Sequence, residues 1–551
     1  PHHITAVHKA QPQRYAKVTL SRIGIIQELS VKQMRSERRK TGFDSDPNGG
    51  GVPAVIANAP QGTFFFRQTG EILYIKESGS PGTWAPVGAS SDAQTAALTW
   101  NITTTGNDIT GDGSVGLPFA TPSGALAKFK ALYGTRVRFL VDLLIGSGSF
   151  PGFNVQGWEM DPATNTTPVG FRFIGTWTVQ DSGTWTGVTP GNTVADVVYA
   201  RVQDTTKTWT VNQHQGAHVR FNTGTSALQI LPILSNTVNE LVLPNVATLG
   251  SVGGTYDIVV PGSLINTAVP IAPSLVAANA SVQNPTPQTH GISVYNVMAA
   301  PGIVQIRFEN LDIVPASAFN GINIQGVPCT FTRCRIMPVA LTSSAVNVNG
   351  GIGTISVSQC VVTTPGGQTC INVAGTGLQL YSQNLINHTN VSLADVNISA
   401  FATVQVTNSF LGSASFGIPI SGQGVLTLSG TTIDGNNASV SQLVRARVVE
   451  GGTGSIFINA SSLALRNNPV STGLEIQGPA FASITALFMS GSATAIGLDQ
   501  GGRVKIGPTS IVTSVGGLGD VVLDGVPTTV ANMRAQAPKL LINSYGTAIW
   551  E

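Results

Sequence analysis

A repeat is the feature that most constrains what this chain can fold into. GINIQGVPCTFTRCRI from Gly321, AVNVNGGIGTISVSQCVV from Ala345 and CINVAGTGLQLYSQNLI from Cys370 share one layout. Each has a short alternating apolar run, a Gly-containing turn, a second alternating run, a small or polar residue and a third apolar pair. Ile322, Val346, Ile371, Val396, Ile418, Val444, Leu474, Ile496 and Val521 are taken as equivalent positions. They set eight intervals over 521 − 322 = 199 residues, about 25 residues per copy, within the range of solenoids. Inside a copy the apolar residues alternate with period two, as in Ile355/Val357, Leu378/Leu380, Val404/Val406 and Leu426/Leu428. That is strand periodicity, because successive side chains of a strand face opposite ways. The few inward residues of one copy cannot make a core, but stacked copies can. Three short strands per copy predict an all-β fold, a parallel β-helix. Its right-handedness is expected from the general preference of parallel crossovers.

Cys334 and Cys360 occupy the same place in consecutive copies, just after the second strand. In a β-helix such positions lie about 4.8 Å apart. The spacing therefore predicts a buried, reduced thiol stack, with Asn384 and Ser409 near the same turn further along. Cys329 and Cys370 have no consistent partner. Four cysteines in 551 residues are too few for a disulfide framework, which fits assembly in a reducing compartment.

Composition narrows the class. Only 10% of residues are charged while 42% are hydrophobic. That balance excludes a disordered chain and fits a turn-rich all-β solenoid. A net charge of +2 gives no global pull on nucleic acid or membrane. No run of about twenty apolar residues is present, so no membrane insertion is expected. The first residues, PHHITAVHKAQPQRYAKV, lack the apolar core of a secretory signal.

The chain divides into five parts. Residues 1–50 carry an apolar stretch, Ile23–Leu29, followed by the basic cluster Lys32, Arg35, Arg38, Arg39 and Lys40. A short amphipathic helix is expected there, serving either as a docking element or as a solvated basic face. Residues 51–104 form a linker and a small β module. Residues 105–135 make the entry to the β-helix. Thr121 as N-cap, Pro122 at the first helical position and Gly134 as the stop predict a capping helix with Leu126, Phe129 and Leu132 on one face. Residues 136–525 are the β-helix, starting with a strand over 136–145. Its first part, 150–300, is read as strands separated by long loops, and residues 526–551 as a C-terminal cap. Asp108 and Asp112 are either turn residues or ligands of a cation.

Two segments resemble known phage proteins. QGTFFFRQTGEILYIKESGSPGTWAPVG, residues 61–88, carries Gly62, Phe65, Arg67, Gly70, Leu73, Tyr74, Lys76, Glu77 and Trp84. It is similar to a short module of phage tail fibres and tailspikes. TGNDITGDGSVGLPFATPSGALAKFKALYGT, residues 105–135, carries Gly106, Asn107, Asp108, Gly111, Asp112, Gly113, Pro118, Phe119, Ala120, Thr121, Ala125 and Leu126. It resembles the β-helix entry of phage tailspikes and other pectin-lyase-like proteins. The resemblance implies a homotrimeric virion protein at the tail or baseplate periphery, assembled in the host cytoplasm. It also implies docking on baseplate, tail or neck proteins through the N-terminus, and attachment of the phage to a host surface polysaccharide. A polysaccharide depolymerase, glycosidase or lyase, and a purely structural fibre or decoration protein are the other two readings.

Glycosidases need paired carboxylates about 5 to 9 Å apart. Between Asp312 and Asp395 the chain has no Asp or Glu, so no catalytic residue is assigned, and no cofactor or metal site. His214 and His218 have i, i+4 spacing, which gathers a metal only on a helix; the surrounding VNQHQGAHVRF reads as strand and turn. The candidate binding residues are Trp158, Trp177, Asp181 and Trp185, where aromatic faces beside a carboxylate suit a sugar. The competing reading is that these tryptophans pack loops onto the coils.

Overall fold

The computed structural model describes the chain from Gln94 to Ser514 except for a number of inter-strand loops; outside that span it describes strands only. The chain forms two compact units, residues 1–93 with 130–134, and the remainder. In the first unit Tyr15–Thr19 pairs antiparallel with Ile26–Ser30. The amphipathic helix expected from Ile23 onward is therefore a strand over Ile26–Ser30. Phe64–Arg67, Ile72–Lys76 and Trp84–Pro86 form an antiparallel meander. Lys32, Arg35, Arg38, Arg39 and Lys40 lie outside the described residues.

The larger unit is a parallel β-helix built on three long sheets of 12, 13 and 11 strands. Each coil contributes one strand to each, as Ile322–Gln325, Cys329–Thr332 and Arg335–Ile336 do in turn. These sheets are called here the first, second and third faces. The expected equivalences are the observed register. Ile322 pairs with Val346, Val346 with Ile371, Ile371 with Val396, Ile418 with Val444, Val444 with Leu474, Leu474 with Ile496, and Ile496 with Val521. The remaining step is fixed two residues on, by Ile398 with Ile420. The members of this column from Ile322 to Ile496 are fully buried. Each such aliphatic contributes about 1.5–3 kcal/mol relative to an exposed one, so one column alone is a large share of the drive to stack.

The corner between the second and third faces follows one rule. Asn310, Arg333, Gln359, Asn408 and Gly430 all have positive φ there, between 48° and 58°. The left-handed residue turns the chain sharply, and the residue after it, small in all cases but Leu311, is buried at the corner. The Cys334 thiol donates to the Phe308 and Thr332 carbonyls, that of Cys360 to Phe331 and Ser358, and the Thr431 hydroxyl to Val406 and Ser429. Each satisfies one carbonyl two residues back and one on the preceding coil. The thiol stack is thus present: the Cys334 amide lies 3.4 Å from the Cys360 sulfur. All four cysteines are free and buried.

Pro122–Tyr133 is the capping helix. Thr121 accepts the Gly124 amide at 2.9 Å. Asp108 is a clamp rather than a cation ligand: its carboxylate accepts the Ala120 and Thr121 amides and the Thr121 hydroxyl at 2.7–3.0 Å. A Cβ on Gly124 would stand 2.0 Å from the Asp108 carboxyl carbon, so only glycine lets the clamp close. Asp112 accepts the Ser114 amide in a turn. Phe129 makes edge contacts with Trp100, Trp158 and Phe171 at 5.5–6.0 Å. Leu132, expected on the buried face, is 42% exposed. The β-helix begins earlier than expected, because Leu98–Ile102 already pairs in parallel with Leu140–Ile145. The stretch 136–145 is two strands, Arg136–Val137 and Leu140–Ile145.

The largest departure lies between Gly175 and Ser263. Val169–Gly175 belongs to the second face and Ser263–Ile265 to the third. Where a corner is due, the chain builds a separate antiparallel domain instead of long loops. Trp177–Thr184, Thr255–Pro261, His218–Phe221 and Ile230–Pro232 form one sheet; Gly187–Thr189, Ala200–Gln203, Glu240–Leu243 and Ser235–Asn236 form the other. Trp185, Trp209, Val219, Phe221, Leu241, Tyr256 and Ile258 share their core. The entering and leaving strands pair with each other, Trp177 opposite Pro261, so the domain leaves the solenoid on a two-strand stalk.

Candidate functional site

The four residues expected to hold a sugar are dispersed. Trp158 is 4% exposed, edge-on to Phe129 and Phe171 beneath the capping helix. Trp185 is 1% exposed and stacked on Tyr256 at 4.8 Å in the inserted domain. A ring with no exposed face cannot stack on a saccharide, so both are corrected to packing residues. Trp177 and Asp181 share an edge strand, and simple alternation would put them on one side. A β-bulge between Val179 and Asp181 changes that. Trp177 stays on the side of His218, with the rings 5.3 Å apart. Asp181 comes opposite the core residue Ile258. There it accepts the Lys207 ammonium and the Trp209 indole N–H, each at 2.7 Å. Burial pushes its carboxyl up, but these bonds together with the Ser182 amide and the Lys207 charge hold it below the usual range.

The histidines do not converge. His214 lies in a turn with its ring edge-on to Trp209, whereas His218 begins a strand and reaches the Gln359 carbonyl with Nε2 at 2.8 Å. Among the described residues no cluster of three His, Cys, Asp or Glu could hold a metal, and no helix is long and apolar enough to cross a membrane.

The His218 contact shows where the inserted domain sits. It lies on the outer face of the solenoid at the corner between the second and third faces. Val361, in the outward register of the third face, is buried there, and Tyr199 meets Phe410 at 6.0 Å. Alternation alone would leave such positions to solvent; they are apolar because the domain covers them.

Around this junction the charges of a charge-poor chain gather. On the second face Arg172 grips Asp142, its register partner one coil back, with Nε at 2.6 Å. Glu309 accepts Arg333 at 2.9 Å and also acts on the Arg172 guanidinium. Around the corner Arg335 pairs with Asp312. On the inserted domain Arg220 pairs with Asp257 at 2.5 Å, and Arg220 lies two residues along the same strand from His218. Complete burial lowers the His218 pKa to about 4 against the pull of the Gln359 carbonyl, and Arg335 and Arg333 add to the lowering. The side chains of these four ion pairs remain 10–34% exposed. They form a fixed array of guanidinium donors and carboxylate acceptors that surface groups of a ligand can reach.

The sequence reading missed this array. A signal was present: Glu309 to Arg333 and Asp312 to Arg335 are 24 and 23 residues apart, close to one coil. The inserted domain hid the rest by separating Arg172 from its register partner Arg307.

No protein-family model and no curated protein sequence matches the chain. Among solved structures it is similar to the tailspike protein gp49 from Pseudomonas phage LKA1, at 11% identity over 70% of this chain and 72% of that one, with a TM-score of 0.22. A glycoside hydrolase aligns at 9% identity over 80% of this chain and 98% of its own, TM-score 0.20. The gp54 tailspike of Acinetobacter baumannii bacteriophage AP22, in complex with A. baumannii capsular saccharide, aligns at 13% identity over 74% and 77%, TM-score 0.15. At such scores the superpositions are loose, and the β-helix assignment rests on the register of this chain's own strands.

Proposed function

We propose that this chain is a phage tail fibre or tailspike that attaches the virion to its host by binding a surface glycan at the junction of inserted domain and solenoid. The observation that carries the reading is the concentration of partly exposed Arg–carboxylate pairs there, on a chain of which only 10% is charged. Saccharide hydroxyls both donate and accept, and paired guanidinium and carboxylate groups on a rigid scaffold suit them. The motif over residues 105–135 supports the phage assignment. The reading includes a homotrimer that docks on the tail or baseplate through residues 1–50, with Lys32, Arg35, Arg38, Arg39 and Lys40 at the contact. Three copies of a weak site would give firm adhesion by multivalency.

A glycosidase needs one carboxyl held protonated as general acid. Asp257 is instead held ionised, its hydrogen bonds and ion pair with Arg220 outweighing its burial, and Asp142, Glu309 and Asp312 are each engaged by an arginine. Binding without hydrolysis by this carboxylate set is therefore the reading adopted, and the assay below covers hydrolysis and elimination alike. The test is retention of the full chain on a panel of immobilised bacterial surface polysaccharides, with reducing ends assayed in the same samples. Retention without new reducing ends is expected. Release of reducing ends makes the protein a depolymerase, and retention on no polysaccharide removes the glycan-binding reading.

A further inference from the structure

Arg307 stands out within the junction. On the second face the outward column runs Asp142, Arg172, Arg307, Thr330, Ser356 from coil to coil. Neighbouring strands of a sheet lie about 4.8 Å apart, so Arg172 and Arg307 are like charges side by side, an unfavourable arrangement unless offset. Asp142 offsets Arg172. The carboxylate two residues along from Arg307 is Glu309, and Arg333 holds it. Half-buried Arg307 thus has no ion pair or hydrogen bond among the described residues, while Arg172, Arg220, Arg333 and Arg335 around it each have a carboxylate. None of its nitrogens is a buried atom lacking a partner, so the guanidinium faces water and is open to an anion from solution. The column supplies the counter-charge on one side of the arginine pair and only hydroxyls on the other.

We infer that the missing anion comes from the ligand: Arg307 is a subsite for a carboxylate-bearing residue of an acidic polysaccharide. The inference rests on the glycan-binding reading above. A planar guanidinium takes a carboxylate with two parallel hydrogen bonds. Thr330 and Ser356, on the next two coils of the same column, offer hydroxyls to the adjoining sugar residues. The Arg307 contact sets which sugar is accepted, and the flanking ion pairs set where the chain lies.

The experiment uses the full-length protein and a panel of uronate-containing bacterial polysaccharides. Each is presented native and after carboxyl reduction, which turns the carboxylate into a primary alcohol and leaves the rest of the chain intact. At least one native polysaccharide should bind, and its reduced form should bind about tenfold or more weakly, the size of one charged hydrogen-bonded contact. Arg307→Gln should weaken the native ligand by a similar factor and leave the reduced ligand unchanged, and Arg307→Lys should restore part of the loss. Equal binding of native and reduced forms overturns the inference and leaves the glycan-binding reading standing. So does native binding that Arg307→Gln does not alter. If Arg307→Gln fails to fold, the wild-type comparison of native and reduced ligands still decides. Failure to bind any member in either form overturns the inference, and the broader panel above then decides the glycan-binding reading separately.

Discussion

The solenoid and the domain inserted in it solve the same problem in opposite ways. The solenoid pairs its strands in parallel with the coil before, and every inward position repeats about every 25 residues. Its core is one column of Ile, Val and Leu after another, and its outer face is mostly neutral. The inserted domain pairs its strands antiparallel and has no period. It closes a private core around Trp185, Tyr256, Phe221 and Trp209, and it turns the outer face of the sheet that holds His218 and Arg220 toward the solenoid. The repeat builds length cheaply in sequence terms. The irregular domain creates a junction, and four Arg–carboxylate pairs gather there. On the proposed reading, scaffold and glycan site are separated within one polypeptide.

The sharpest way to break this comparison is to unfold the domain alone. Trp185→Ala removes a fully buried ring from a small core, at a cost of about 3–5 kcal/mol. Thermal unfolding followed by tryptophan fluorescence and by circular dichroism should then show the domain melting well before the β-sheet signal of the solenoid. A single unchanged transition would mean the two are one cooperative body. By contrast, Phe308→Ala, which interrupts the solenoid stack of Phe173, Phe308 and Phe331 at 4.7–5.1 Å, should cost a similar amount but lower the solenoid transition.

Acid should sharpen the comparison next. His218 is fully buried and neutral, with its pKa lowered from 6.5 to about 4. Its unfolded form binds the proton more readily, so the stability it contributes is fully present above pH 6.5. That contribution falls as the pH drops toward about 4, where the loss levels off. At about 1.4 kcal/mol per unit, the full loss is roughly 3 kcal/mol. His218→Gln keeps a donor for the Gln359 carbonyl and removes the titration. The difference between wild type and variant in denaturant unfolding should therefore change by about 2 kcal/mol between pH 6.5 and pH 5. A difference independent of pH would contradict the buried contact.

The smallest effect belongs to the corners. Cys334→Ser replaces a thiol by a hydroxyl that can make the same two carbonyl hydrogen bonds, as Thr431 does. It should shift stability by less than about 1 kcal/mol, and the remaining cysteines should resist thiol reagents until the protein unfolds. Rapid labelling of native Cys360 would break the stacking account.

How much of this was legible follows from the same contrast. Ile322 and its equivalents declared themselves because a stacked coil repeats its inward residues, and Thr121 and Gly134 declared the helix because caps are local chemistry. HVRF and YDIVV read as strands, but a single antiparallel strand says nothing about its partner, so the sequence shows strands and loops there and not a separate domain. Trp158 and Trp185 were misplaced for a related reason. A tryptophan outside a period looks exposed until the core that buries it is known. Trp177 and Asp181 were separated by one bulged residue that no pattern marks. Arg172 and Arg307 are register partners 135 residues apart by subtraction of their numbers, and only the fold brings them together.

The central claim is that the junction, and not the regular coils, holds the glycan. Hydrogen exchange of the full-length protein with and without a retained polysaccharide tests it most directly. The account predicts that protection on binding concentrates at residues 140–145, 169–175, 304–313, 329–336 and 216–221. Protection confined to the coils after residue 394, with the junction unchanged, would contradict it.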